Sequence, residues 1–314
     1  LESDRMFQLN LDEKSLEVQR QVVIEEFKQR YLNQPYGNNL AQLRALTYKE
    51  HSYKWSTIGK EISHIEKVTL DNAMAFYKQF YAPNNCVLSI CGDLDIEETE
   101  AMVLKWFGDI ESSTIKRPTK VVEPKQTIER FEEVTEDVPL NAFLWSFKMG
   151  AKTDDDFAIA DLTSDLLGRD ESSFLHQKLA VELKLVSNIS AYVSGDRDPG
   201  MLIISGKLNE NVSFKVVENE VWGIINQVKT ECVSDFELTK VKNKFETAHI
   251  YGEMSVMNKA MNLGYAELIG DVNGINTELS EYEAVQVEDI KEWAGQFLTE
   301  ESVCRLHVKK ETNE

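Results

Sequence analysis

Two adjacent carboxylates, Glu25 and Glu26, interrupt the apolar run Val22-Val23-Ile24-Glu25-Glu26-Phe27-Lys28-Gln29-Arg30-Tyr31. A carboxylate on a helix can be a solvated charge, half of an ion pair, or a donor to a metal ion. A zinc centre needs at least two further donors, and histidine is the commonest. The chain holds five histidines, His51, His64, His176, His249 and His307. No two of them stand at the spacing of His-Glu-x-x-His or His-x-x-Glu-His. Read singly, each is a surface side chain or one satisfied internally. What Glu25 and Glu26 can do depends on which turns inward and on what reaches it there.

Helix geometry separates the two. At ~100° per residue, with Val23 as reference, Leu16 and Phe27 fall within about 40°, and Ile24 and Tyr31 lie further round the same side. Glu25 points about 160° away and is a surface charge. Glu26 points about 60° to the other side, on the shoulder of the apolar face, with Gln19 one way and Arg30 the other. A carboxylate on that shoulder needs a partner, because an unpaired buried charge is costly. Two partners stay open: a cation such as Arg20, Arg30 or a lysine from elsewhere, or a metal ion.

The elements that must position Glu26 follow from periodicity. An amphipathic helix is expected over 12–33, with shorter helices near 40–47 and 58–66. The cluster Asn33-Gln34-Pro35-Tyr36-Gly37-Asn38-Asn39 marks a turn. A helix over 70–81, a strand from Cys86 to Cys91 and a helix over 95–107 come next. Residues 113–126 are polar, contain Pro118 and Pro124, and are expected to link two domains, 1–112 and 127–314. Beyond them the pattern gives strands near 127–135, 140–149, 187–194, 200–207 and 302–309. Helices are expected near 155–167, 172–184, 212–230, 234–266, 275–283 and 287–298. Strands and helices come in blocks, which is an α+β pattern with antiparallel-rich sheets and helices packed on a face.

Composition narrows the class. Of the residues 42% are apolar, enough for packed cores, and the net charge of −20 disfavours a nucleic-acid partner. No run reaches the ~18 apolar residues of a membrane span. Four cysteines, Cys86, Cys91, Cys232 and Cys304, form no Cys-x-x-Cys pair and read as buried free thiols. Cys86 and Cys91 would face opposite sides of one strand and cannot bridge.

An internal repeat is visible. Val68, Phe76, Gln79 and Phe80 match Val285, Trp293, Gln296 and Phe297 at an offset of 217, and a polar turn and a strand follow in both copies. A second copy starting near Ile128 puts the start of the first about 90 residues before Leu1, so the front of the first domain is expected to lie outside this sequence.

With these residues in place, the chain resembles the pitrilysin/insulinase family of inverted zinc metallopeptidases, in its bacterial, mitochondrial-processing-peptidase-like type. The resemblance rests on Gln19-Arg20-x-Val22-Val23-x-x-Glu26 and Asn33-Gln34-Pro35-Tyr36-Gly37. It continues in Phe76-Tyr77-x-x-Phe80-Tyr81-Ala82-Pro83-Asn84-Asn85, Ile90-x-Gly92-Asp93 and Trp106-Phe107-Gly108. Asn258 to Leu263 and Glu267-x-x-Gly270-Asp271 extend it into the second domain.

The resemblance implies a duplicated two-domain α+β metallohydrolase fold and a zinc metalloendopeptidase acting on peptides or unfolded segments. Zinc would be held by His-x-x-Glu-His, absent here, and by a distant glutamate that matches Glu26 and not Glu25. In such a site zinc activates a water and polarises the scissile carbonyl. An assisting glutamate of the family is replaced by Gln19. The substrate-holding arginine and tyrosine of the second domain are replaced by Ala180 and Ser187, and Lys244-Phe245 stands where the first domain has Glu26-Phe27. The expectations are a second domain of inactive type, a chain inactive as it stands, and a homodimer or a heterodimer with a companion subunit. A bacterial cytoplasmic or periplasmic location is implied, and the alternative role is a structural or substrate-holding subunit.

Overall fold

In a computed structural model, described for residues 1–117, 119–195, 197–231 and 233–311, the chain forms two units. Pro118 and Cys232 lie outside the described residues, as do the last three residues. The first unit comprises Leu1–Gln29, Thr57–Lys120 and Ile250–Ile275; the second comprises Arg30–Ser56, Val121–His249 and Asn276–Glu314.

The elements run in the order α1 (Glu2–Phe7), α2 (Glu13–Phe27), α3 (Asn39–Thr47), α4 (Ile62–Glu66), α5 (Leu70–Phe80) and α6 (Ile96–Phe107). Then come β1 (Arg130–Glu136), β2 (Ala142–Lys148), α7 (Phe157–Gly168), β3 (Val186–Ser194) and β4 (Met201–Leu208). The chain continues with α8 (Phe214–Glu231), α9 (Asp235–Glu253), α10 (Val256–Ile269), α11 (Gly274–Ala284), α12 (Val287–Phe297) and β5 (Val303–Lys310). The expected helix over 234–266 is two helices, because Ser255 turns to extended backbone and its hydroxyl caps the amide of Asn258. The expected strand from Cys86 to Cys91 belongs to no sheet among the described residues.

In the first unit, α2 starts with a capping box, Asp12 accepting from Ser15 N while the Ser15 hydroxyl accepts from Asp12 N. Arg20 ties α2 to α4: its guanidinium donates to the carbonyls of Ile65, Glu66 and Val68 at 2.7–2.8 Å. Those carbonyls lie at the end of a five-residue helix, where acceptors lack partners and a cation is favoured. The residues after α6 are pinned to α5, since Asn84 exchanges hydrogen bonds with Ser113 and Gln79 donates to the Lys116 carbonyl.

The second unit is built on a five-stranded sheet ordered β1-β5-β2-β4-β3. Three of its pairings are antiparallel; only β1 and β5 run parallel. Strand alternation splits β2 between two cores. Phe143, Trp145 and Phe147 are fully buried against Val221, Ile225, Ile290 and their neighbours on α8 and α12. Ala142 faces the other way, where Leu43 and Tyr48 from α3 and its end pack on Ile203, Leu306 and Val308. Helices thus lie on the main face, and α3 covers part of the opposite one. A Cβ on Gly168, at the end of α7, would sit 2.5 Å from the Ala191 nitrogen, so glycine lets α7 press directly on β3.

The turn cluster before α3 has a physical reason. Tyr36 adopts φ +65°, and its hydroxyl exchanges hydrogen bonds with the Leu140 backbone at 2.8 and 3.0 Å, which offsets the strain. A Cβ on Gly37 would come within 2.5 Å of the Arg30 carbonyl oxygen.

Candidate functional site

The α2 helix buries Ile24 and Phe27 and leaves Val18 and Val22 exposed. Glu25 is exposed and pairs with Lys28 at 2.7 Å, the geometry of a solvated i,i+3 ion pair. Glu26 is half-buried on the flank of the packed face, and Gln19, about two turns earlier on that flank, is exposed. Arg20 is committed elsewhere, to Glu17 at 2.9 Å and to the carbonyls of α4.

The five histidines do not converge. His51 is buried, its Nδ1 accepting from Tyr53 N at 3.2 Å and its Nε2 lying 3.3 Å from Asp198. His307 is buried between Phe214, stacked at 3.9 Å, and Phe131, with Nε2 at 2.9 Å from Glu218. His249 lies 3.6 Å from Glu278, His64 is exposed and His176 is half-buried. Among the described residues no group of three His, Cys, Asp or Glu side chains is placed to hold a metal ion. Three protein donors is the smallest set for a catalytic zinc, so the residues present do not by themselves fit that metal.

The two substrate-pair positions read as substituted, Ala180 and Ser187, fall in the second unit. Ala180 lies in the helical turn His176–Glu182 and packs on the main core. Ser187 is exposed on β3 and donates to its neighbour's Lys207 carbonyl at 3.4 Å, so it is used by the sheet. The Lys244 ammonium pairs with Asp170 at 2.7 Å, and the Phe245 ring stacks on Tyr282 at 3.4 Å.

The cysteine reading needs correction. Cys304 is buried and burial pushes its thiol pKa up, but Cys86 is exposed and Cys91 half-buried. Among the described residues their segment has no strand partner.

Two polar groups escaped the sequence reading. Asp161 and Asp165 stand one turn apart on α7 within the apolar stretch Ala158 to Leu167, which was the available signal. Tyr282 donates to Asp161 at 2.8 Å, and Arg169 lies 4.0 Å from Asp161 and 3.5 Å from Asp165. Burial, then the neighbouring Asp161 carboxylate, push Asp165 up to about 6, with Arg169 and Lys244 opposing. The folded state therefore holds a proton that the unfolded chain releases near pH 3.8, and stability falls as pH rises from about 4 through 6 and is then level. Asp165→Asn is expected to raise stability at pH 8 by on the order of 2 kcal/mol, with the gain vanishing near pH 4, read by urea melts across pH. The second overlooked group is Glu218, on the inward stripe of α8. It is nearly fully buried and is held by Arg305 at 2.6 Å and His307 at 2.9 Å.

Comparison with known proteins now bears on this fold. A family model described as the peptidase M16 inactive domain matches residues 67–245, more than half of the chain. The chain belongs to the peptidase M16 family. It is 25% identical over 310 residues to a Helicobacter pylori protein named zinc protease PqqE, covering 98% of this chain and 70% of that one. The crystal structure of a protease from Helicobacter pylori superposes with a TM-score of 0.90 at 25% identity, over 98% of this chain and 75% of that chain. A peptidase M16 inactive domain from Pseudomonas fluorescens has the same fold, with a TM-score of 0.83 at 16% identity over 99% of this chain and 74% of that one. No helix among the described residues is long and apolar enough to cross a membrane.

Proposed function

We propose that this chain is part of a zinc metallopeptidase subunit and contributes one carboxylate donor, Glu26, and a second unit of inactive type. The observation that carries the reading is the unequal placement of the paired glutamates: Glu25 is solvated against Lys28, and Glu26 is turned to the flank of the packed face. Family membership and the zinc-protease name of the Helicobacter relative support it. Peptides or unfolded segments are the substrate class. The substrate-holding pair is supplied by a companion, a second copy or a related subunit, because Ala180 offers no donor and the Ser187 hydroxyl is engaged with β4.

With one donor and no converging histidines, the 314-residue chain alone is expected to retain no stoichiometric zinc after gel filtration and to cleave no unstructured peptide above background. Metal analysis and a fluorogenic peptide assay check this. Turnover by the isolated chain that is abolished by chelator would overturn the reading. A non-catalytic structural role is the second reading, favoured by the substitutions at Gln19, Ala180 and Ser187. It predicts a natural polypeptide that lacks His-x-x-Glu-His.

A further inference from the structure

Asp165 sits where helix physics disfavours a negative charge. It lies in the last turn of α7, where the free carbonyls of a helix end carry partial negative charge. Asp161 stands one turn earlier, so the two acids form a like-charge i,i+4 pair. The Asp165 side chain is only 11% exposed, and its buried Oδ1 accepts no hydrogen bond among the described residues.

The groups that face this acid are engaged elsewhere. From α11, the Tyr282 hydroxyl is given to Asp161 at 2.8 Å. From α9, the Lys244 ammonium is given to Asp170 at 2.7 Å. Arg169 is exposed and comes only to 3.5 Å from Asp165 and 4.0 Å from Asp161. On the far side of Tyr282, Glu278 of α11 lies 3.6 Å from His249 and 3.9 Å from Lys152.

The turn that Asp165 closes is loose. Its carbonyl takes the final backbone hydrogen bond of α7 from Arg169 N at 3.5 Å, against 2.8–3.0 Å at the ends of α3, α5, α6 and α12. Gly168 rests directly on Ala191 of β3, so the turn is held by that contact more than by its own bond. Past it the chain runs through Asp170 and Ser173 into the helical turn His176–Glu182.

We propose that the last turn of α7 is a pH-operated latch: with Asp165 protonated the turn stays closed, and loss of that proton opens it and frees Arg169 to Ser173. An ionised Asp165 has a buried oxygen without a donor, beside a second carboxylate and at the wrong end of a helix. Unwinding one turn brings the carboxylate to water and away from Asp161, at the cost of one long hydrogen bond. Burial and the Asp161 charge hold this acid up to about 6. Because the acid is raised when the turn is closed, the closed form is fully favoured below the ordinary value of 3.8 and loses that advantage as pH rises through about 6. The latch stands apart from Glu26, and its test reads no metal.

The test is hydrogen exchange of this chain, resolved to single amides by NMR, at pH 5 and pH 7.5 and at several low urea concentrations. Protection of the amides of Leu167, Gly168 and Arg169, corrected for intrinsic rates, is expected to fall about tenfold between the two pH values. Their exchange should not depend on urea, as local opening exposes little surface, whereas the amides of Val221 and Ile225 on α8 should respond to urea. Asp165→Asn is expected to hold the turn closed at both pH values. Asp161→Asn, which keeps an acceptor for Tyr282, should move the change to lower pH. Protection that is the same at both pH values in the parent overturns the proposal. So does an equal fall in Asp165→Asn, or exchange of the three amides only by the urea-sensitive route, since the turn then opens with the whole unit.

Discussion

In the zinc-bearing peptidase proposed above, Glu26→Gln is expected to abolish activity, by about 100-fold or more, while Glu25→Gln leaves it within about twofold. The two residues are neighbours of the same type, so composition and net charge change equally in both variants. Only position differs. Glu25 points to solvent and holds Lys28, an interaction worth a few tenths of a kcal/mol at an exposed site. Glu26 lies on the flank of the face that buries Ile24 and Phe27, and an amide there keeps the shape but loses the charge that a metal donor requires. Both variants should melt like the parent, because neither side chain is part of the core. Equal losses from the two substitutions would remove the helical-face assignment.

Glu123→Gln is expected to cost on the order of 2–3 kcal/mol and to lower Tm by roughly 5–10 °C. Its carboxylate accepts from three successive backbone amides, Lys49, Glu50 and His51, at 2.8–3.0 Å, and from the Lys148 ammonium at 3.0 Å. Burial alone would raise this acid, yet those four donors hold it down to about 2. Folding therefore gains from the ionised form at every pH above 4.5, and the gain is lost as pH falls from 4.5 through 2. Wild type should accordingly show an acid-dependent loss of stability below pH 4.5 that Glu123→Gln lacks. Thermal melts at pH 7 and pH 3 check both statements. A variant as stable as wild type at pH 7 would mean that the amides find water at no cost.

Much of this was legible in the sequence because it is local. The apolar stripe of α2 and the turn residues around Tyr36 both act within a few positions. The duplication was legible for the same reason, since Phe76–Phe80 and Trp293–Phe297 are repeated helix faces. Glu26 could be separated from Glu25 by angle alone. What escaped depends on distant chain. The segment 113–126 reads as polar linker, and nothing near Glu123 tells that the amides of Lys49 to His51 converge on it from more than 70 residues away. The Asp161–Asp165 pair was visible as two charges on an apolar helix, but its partners Tyr282 and Lys244 were not. Cys86 to Cys91 has the composition of a buried strand, and a strand needs neighbours that its own sequence does not contain.

The most direct measurement is a crystal structure of the proposed zinc-bearing polypeptide grown with zinc, with anomalous data collected at the zinc edge. A peak about 2.0–2.2 Å from a Glu26 carboxylate oxygen, shared with two histidine nitrogens, is the predicted result. A zinc peak remote from Glu26, with that side chain held only by a guanidinium, would contradict the assignment.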